Sequence, residues 1–263
     1  MNKKAEELGL KDTRFVTPHG LDKDGHYTTS YELALLADYA MQNDKFKSIV
    51  GTRSYTLTIN GNPKTINTTN ELLGYLNGVY GVKTGFTNKA GRCLVTSTLR
   101  GDMDIICVVL GADTKKIRTQ DSIKLIEYVF KNYDLVNIES KINDNFEEWK
   151  QANMHNIDIV KGEHTNIETK LSVANNYVFP MNNNEQNSID INIDTLKVIE
   201  APVYNGTVIG TLEAKINNNT ILSQDIVVTN TINKKTAMDY FIELLRNYKI
   251  YLEENAKITI YKE

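Results

Sequence analysis

The residues best suited to chemistry are Lys83-Thr84-Gly85, followed by Phe86-Thr87. On a strand, Lys83 and Gly85 share one face while Thr84 points to the other, unless the edge twists. An edge strand offers its backbone groups to an extended peptide, which can bind by strand addition. Gly85 lets that peptide approach closely, and an ammonium at Lys83 favours a carboxylate-ended ligand and developing negative charge. An exposed strand lysine beside a turn carries the same three letters, so the triplet needs support from its surroundings.

Covalent catalysis would add a serine with an adjacent base. No serine is followed three places on by lysine, the spacing that puts both on successive turns of one helix, and Ser122-Ile123-Lys124 is one residue short. Neither Ser-x-Asn nor Gly-x-Ser-x-Gly occurs. Tyr75-Leu76-Asn77 lies only six residues before Lys83, too near to come from a separate loop. His19 and His26 share a Gly- and Asp-rich loop, but it has no His-Glu-x-x-His pattern and no Cys/His set of zinc spacing. His155 and His164 lie in polar segments and read as surface.

Cys93 and Cys107 fall on what read as neighbouring strands joined near Gly101-Asp102. That turn sets Cys107 opposite about Thr96 and Cys93 opposite about Leu110. The offset is roughly 10–13 Å of strand rise, beyond the about 7 Å that a disulfide spans. Both cysteines read as small buried hydrophobes.

The elements around these residues are legible in outline. Residues 2–9 read as the end of a helix stopped by Gly9. Thr29-Ser30-Tyr31-Glu32 forms a capping box for a helix to about Asn43, with Leu33, Leu36, Ala37 and Ala40 on one face. Residues 54–60 alternate as a strand and turn at Asn60-Gly61. Residues 119–133 are amphipathic, with Ile123, Ile126, Val129 and Phe130 facing inward. The expected first domain, 1–138, is thus mixed α/β with an antiparallel sheet. The run beginning at Ile138 reads as a polar linker, with Trp149 at a junction. Residues 139–233 carry short alternating runs separated by turns, as in a small all-β sandwich. In the tail, 234–263, Met238, Phe241, Ile242, Leu245, Tyr248 and Leu252 share one helical face, which suits a membrane surface or packing on its own or another protein.

The chain has 263 residues and a formal net charge of −3, and no basic cluster suggests nucleic acid. No apolar stretch follows Met1-Asn2-Lys3-Lys4 as a signal peptide would require, and no run approaches the length of a membrane span.

Several blocks in order resemble the low-molecular-mass penicillin-binding proteins, the D-alanyl-D-alanine carboxypeptidases of serine peptidase family S11. They are residues 13–40 (from Thr13 through the Pro18-His19-Gly20-Leu21-Asp22 loop), Asn67–Gly74, Gly78–Ser97, Val108–Arg118 and Ile199–Ala214. The resemblance covers nearly the whole chain. It implies the C-terminal part of a serine β-lactamase/transpeptidase-like domain, then the β-domain and amphipathic tail.

In that family Lys83 would belong to the electrostatic and proton network, and Thr84 and Gly85 would contact substrate. The Phe86 N–H would supply half an oxyanion hole, and Arg118 would hold the substrate's terminal carboxylate. By residue type alone, Arg118 equally suits a solvated charge at a helix start. His19 and His26 become loop-ordering residues, and Thr68-Thr69-Asn70 becomes part of an Asn-x-Asn-x-Leu-Leu block with no catalytic role.

The resemblance implies no metal and no cofactor. The implied partners are a peptidoglycan pentapeptide, β-lactams and, through the tail helix, a membrane surface. The implied place is the extracytoplasmic face of a bacterial membrane. The missing nucleophile motifs predict a chain inactive alone, with Met1 an internal methionine and Leu33, Leu36, Val95 and Val108 awaiting cover from an upstream segment. Two other readings stand beside it: a non-catalytic cell-wall or membrane-binding module, and a gene fragment without function.

Overall fold

A computed structural model describes residues 1–260, with side chains to residue 250. The chain divides into two compact units, Met1–Leu135 and Val136–Glu263.

In the first unit, α1 (Asn2–Glu7) stops where Gly9 turns to φ 71°. The Gly9 N–H donates to Glu6 and the Leu10 N–H to Ala5, each at 2.9 Å. These bonds satisfy the last carbonyls of the helix and leave Ala5 and Leu10 buried. α2 (Ser30–Met41) starts on Thr29, whose hydroxyl accepts from the Glu32 N–H at 3.2 Å. The expected capping box closes on this side only. The Glu32 carboxylate turns away to accept the Asp12 N–H at 2.9 Å and the Thr13 hydroxyl at 2.5 Å. The start of α2 thereby holds the loop at Asp12-Thr13. α3 (Asp44–Val50) follows.

The hairpin of β1 (Ser54–Ile59) and β2 (Asn62–Asn67) turns at Asn60 and Gly61, both at positive φ. β3 (Val79–Thr87), β4 (Gly91–Arg100) and β5 (Met103–Ala112) form an antiparallel sheet in the order β3-β4-β5, so β3 is an edge. α4 (Lys115–Asn132) begins earlier than the periodicity predicts, because Thr114 caps it by accepting from the Ile117 N–H at 3.1 Å. α4 and the segment before β3 cover one face of the sheet, burying Leu72, Leu94, Cys107 and Ile126. α2 covers the other face, where Ala37, Met41, Val82 and Val95 are buried with Leu33 and Val108 against them. Val95 is thus buried within this unit, whereas Leu33, Leu36 and Val108, which the sequence reading expected an upstream segment to cover, stay partly exposed.

Cys107 pairs with Thr96 as expected. Cys93 sits at a bulge between Arg92 and Leu94 and is only half-buried, which corrects the reading of both thiols as core. A bulged residue leaves the pleat and cannot tuck under the sheet. Both thiols are free.

The division between units falls within β6 (Asp134–Asn137). The expected linker is instead a helix, α5 (Glu139–Asn153). Ile138, Ile142 and Phe146 repeat every four residues and are buried, and Trp149 stacks on Phe146 with ring centroids 6.1 Å apart. The polar residues between them hide that stripe in composition.

After a 3-10 turn (Met154–Asn156) come β7 (Asp158–Val160), β8 (Thr169–Leu171), β9 (Val178–Met181) and α6 (Asn183–Asn187). β10 (Asp190–Thr195), β11 (Val198–Glu200), β12 (Val208–Ile216) and β13 (Asn219–Val228) follow. A four-stranded antiparallel sheet in the order β10-β12-β13-β8 and a parallel pair, β11 with β7, share one core that includes Ile159, Ile199, Leu212 and Ile226.

α7 (Ala237–Ile260) closes the described chain. Thr236 accepts from the Asp239 N–H, and the Asp239 carboxylate accepts from the Thr236 N–H at 2.7 Å, so each satisfies the other. Met238, Phe241, Ile242, Leu245 and Tyr248 are exposed. Leu252 lies outside the described side chains. Among the described residues, no helix is long and apolar enough to cross a membrane.

Candidate functional site

β3 pairs with β4 alone, so alternate residues along it direct N–H and C=O groups to an open edge. Lys83 lies opposite Val95, Thr84 opposite Leu94 and Gly85 opposite Cys93. Lys83 is exposed, and its ammonium donates to the Thr84 carbonyl at 2.6 Å. Lys83 and Thr84 alternate across the strand, yet both line one groove of about 740 Å³. Its lining joins these two residues to α3, the β1–β2 hairpin and the segment before β3. Phe86 is exposed, and the Arg92 guanidinium stacks 3.5 Å from its ring centre.

The segment before β3 does more than the sequence reading allowed. Thr69 Oγ1 lies 2.5 Å from Thr84 Oγ1. Asn70 is buried; its Nδ2 donates to the Gly81 carbonyl and its Oδ1 accepts from the Leu72 N–H, each at 3.1 Å. Thr68-Thr69-Asn70, first read as a bystander, therefore fixes the start of β3 and touches the Thr84 hydroxyl. No sequence signal marks this, because the partners are set by tertiary placement and not by spacing.

Arg118 is 3% exposed, so it is no solvated helix-start charge. Its guanidinium donates to the Glu71 carboxylate, which also accepts from Lys115 at 2.6 Å and from the Thr119 hydroxyl at 3.0 Å. Burial pushes the Glu71 carboxyl up. Lys115, Thr119 and the Arg118 charge outweigh that push and hold it below the ordinary carboxylate range. Helix α4 is thus bonded to the segment that carries Thr69 and Asn70.

His19 Nδ1 accepts from the Leu21 N–H at 3.1 Å, ordering its own loop. His26 lies 3.4 Å from the Thr17 hydroxyl and packs edge-on to Phe15. His155 and His164 are exposed. Among the described residues no group of three potential metal ligands comes together.

Residues 1–114 match the family model for D-alanyl-D-alanine carboxypeptidase, and residues 150–234 match that for the penicillin-binding protein 5 C-terminal domain. The chain is 30% identical over 244 residues to the D-alanyl-D-alanine carboxypeptidase DacF of Bacillus subtilis, covering 92% of this chain and 60% of that protein. It is 29% identical to DacC of Escherichia coli, covering 89% of this chain and 56% of that one. The fold is similar to penicillin binding protein 5 from Haemophilus influenzae, with a TM-score of 0.64 and 26% identity, covering 89% of this chain and 64% of that one. The chain thus spans about three-fifths of the length of these relatives. By both family models and these relatives, it belongs to the low-molecular-mass penicillin-binding proteins, the S11 family of D-alanyl-D-alanine carboxypeptidases.

Proposed function

We propose that β3 is the substrate-binding wall of a serine D-alanyl-D-alanine carboxypeptidase acting on peptidoglycan stem peptides. The observation that carries this reading is Lys83-Thr84-Gly85 on an open strand edge, with the Lys83 and Thr84 side chains beside one groove. A peptide added along that edge exchanges backbone hydrogen bonds with β3. The Lys83 ammonium and Thr84 hydroxyl then face its carboxylate end, and the Phe86 N–H stabilises the oxyanion of the reacting carbonyl. The family resemblance assigns the substrate's terminal carboxylate to Arg118; here its buried guanidinium is paired with Glu71 and lies outside the groove lining, so that role requires it to exchange Glu71 for the substrate.

The attacking serine and its base are not encoded among these 263 residues. The chain by itself therefore binds substrate but neither cleaves it nor forms a penicillin adduct. A peptide ending in D-alanyl-D-alanine, titrated by calorimetry, is expected to bind the wild-type chain and to bind Lys83→Gln about tenfold or more weakly. Mass spectrometry after incubation with a labelled penicillin is expected to show no mass gain. A stoichiometric adduct on any serine, or a peptide affinity indifferent to Lys83, would overturn the reading.

The exposed apolar side chains of α7 favour a second role, in which the tail helix lies in a membrane surface at the extracytoplasmic face of the cell. A chain that binds wall or membrane through residues 139–263 without any substrate role is the competing reading. Sedimentation with liposomes of the full chain and of the Phe241→Ser/Leu245→Ser variant measures the membrane role, and equal sedimentation would remove it.

A further inference from the structure

We infer that the groove beside β3 holds a second anion-binding subsite, in which Arg53 reads an acidic group on the peptide upstream of its terminal carboxylate. This rests on the reading of β3 as a peptide-binding wall and extends it to the far side of the groove.

The groove has Lys83 and Thr84 on one bank and the β1–β2 hairpin on the other. Its volume, about 740 Å³, falls in the range of ligand-binding clefts. Arg53 and Lys83 are its only cations, and no carboxylate lies among its lining residues. Among the described residues, the Arg53 guanidinium has no ion-pair partner.

Arg53 is also held in place. Its carbonyl accepts the Thr68 N–H at 2.8 Å, which ties it to the segment that touches Thr84. Its guanidinium lies against the turn at Gly74, where a Cβ would stand 2.6 Å from Cζ. Only a glycine, here at φ 77°, leaves room for that close packing.

The groove lining also carries apolar side chains. Tyr55 and Ile66 lie directly opposite each other on the hairpin, both exposed, and Ile49 adds to the same lining. Two cations in one groove whose lining holds no carboxylate complement a peptide with a carboxylate at its end and a second acid further back.

The test uses the full chain and N-acetylated tetrapeptides ending in D-alanyl-D-alanine, with Glu or Gln at the first or second position, titrated by calorimetry at low and high salt. One Glu peptide is expected to bind about three- to tenfold tighter than its Gln partner at low salt. Arg53→Gln should abolish that preference, Arg53→Lys should keep part of it, and high salt should shrink it. Lys83→Gln should weaken all four peptides alike. Equal binding of Glu and Gln peptides, with Lys83→Gln still weakening both, overturns the subsite and leaves the wall intact. A preference that survives in Arg53→Gln overturns the assignment to Arg53. If none of the peptides binds, the wall itself fails and the subsite falls with it.

Discussion

Gly85 has room for a methyl group. A Cβ built there would meet only the Cβ of Cys93, at 3.7 Å, an ordinary contact. At Gly78, by contrast, it would fall 2.3 Å from the Leu99 carbonyl, at a φ of 82°. The fold therefore demands glycine at 78 and merely tolerates it at 85, so the requirement at 85 is set by whatever approaches β3 from outside. Gly85→Ala is expected to change stability by less than about 1 kcal/mol, yet to weaken binding of a D-alanyl-D-alanine peptide about tenfold. Unchanged peptide affinity in a folded variant would sink this account of the residue. Lys83, Thr84 and Gly85 could be singled out in the sequence because the blocks around them, in order, support a triplet that is weak alone. Thr69, Asn70, Glu71 and Arg53 could not, since each matters through a partner that only the fold brings near.

Between elements, the tie that joins α4 to the segment before β3 runs through one carboxylate. Glu71 accepts from Lys115 and Thr119 as well as from buried Arg118, so losing its charge leaves a guanidinium without a counter-ion in the core. Glu71 is 35% exposed, which keeps the expected loss for Glu71→Gln to about 1–2 kcal/mol, below that of a fully buried pair. The sign of its pH dependence follows from its lowered pKa. The carboxylate stabilises the fold above the ordinary value of 4.5, and that stability is lost as pH falls through the depressed folded-state value. Thermal melts from pH 7 to pH 3 should show a smaller acid-induced drop in Tm for Glu71→Gln than for wild type, and parallel curves would refute this. The same contrast governs what could be read of the elements. The Asn60-Gly61 hairpin and the Thr29 cap are local chemistry and were visible. The turn of Glu32 toward Asp12 and Thr13 was hidden because only the fold brings those partners near, whereas the helix at Glu139–Asn153 has a local apolar stripe masked by polar composition.

At the scale of the whole molecule, the two units keep separate cores. The first has apolar clusters on either face of β3-β4-β5, and the second has one cluster around Leu212 and Ile226. Each has the means to unfold as its own cooperative step. The sole tryptophan, Trp149, belongs to the second unit, and both cysteines belong to the first. Cys107 is buried, and burial pushes its thiol pKa up to about 11, whereas Cys93 is half-buried. At pH 8 an aromatic disulfide reagent is expected to modify Cys93 quickly and Cys107 only when the sheet opens. In a denaturant series, the onset of Cys107 labelling and the change in tryptophan fluorescence should have different midpoints; a shared midpoint would mean one transition for the whole chain. The placement of these three side chains thus equips each half of the protein with its own clock, one chemical and one optical, and the two can be timed in a single unmodified sample.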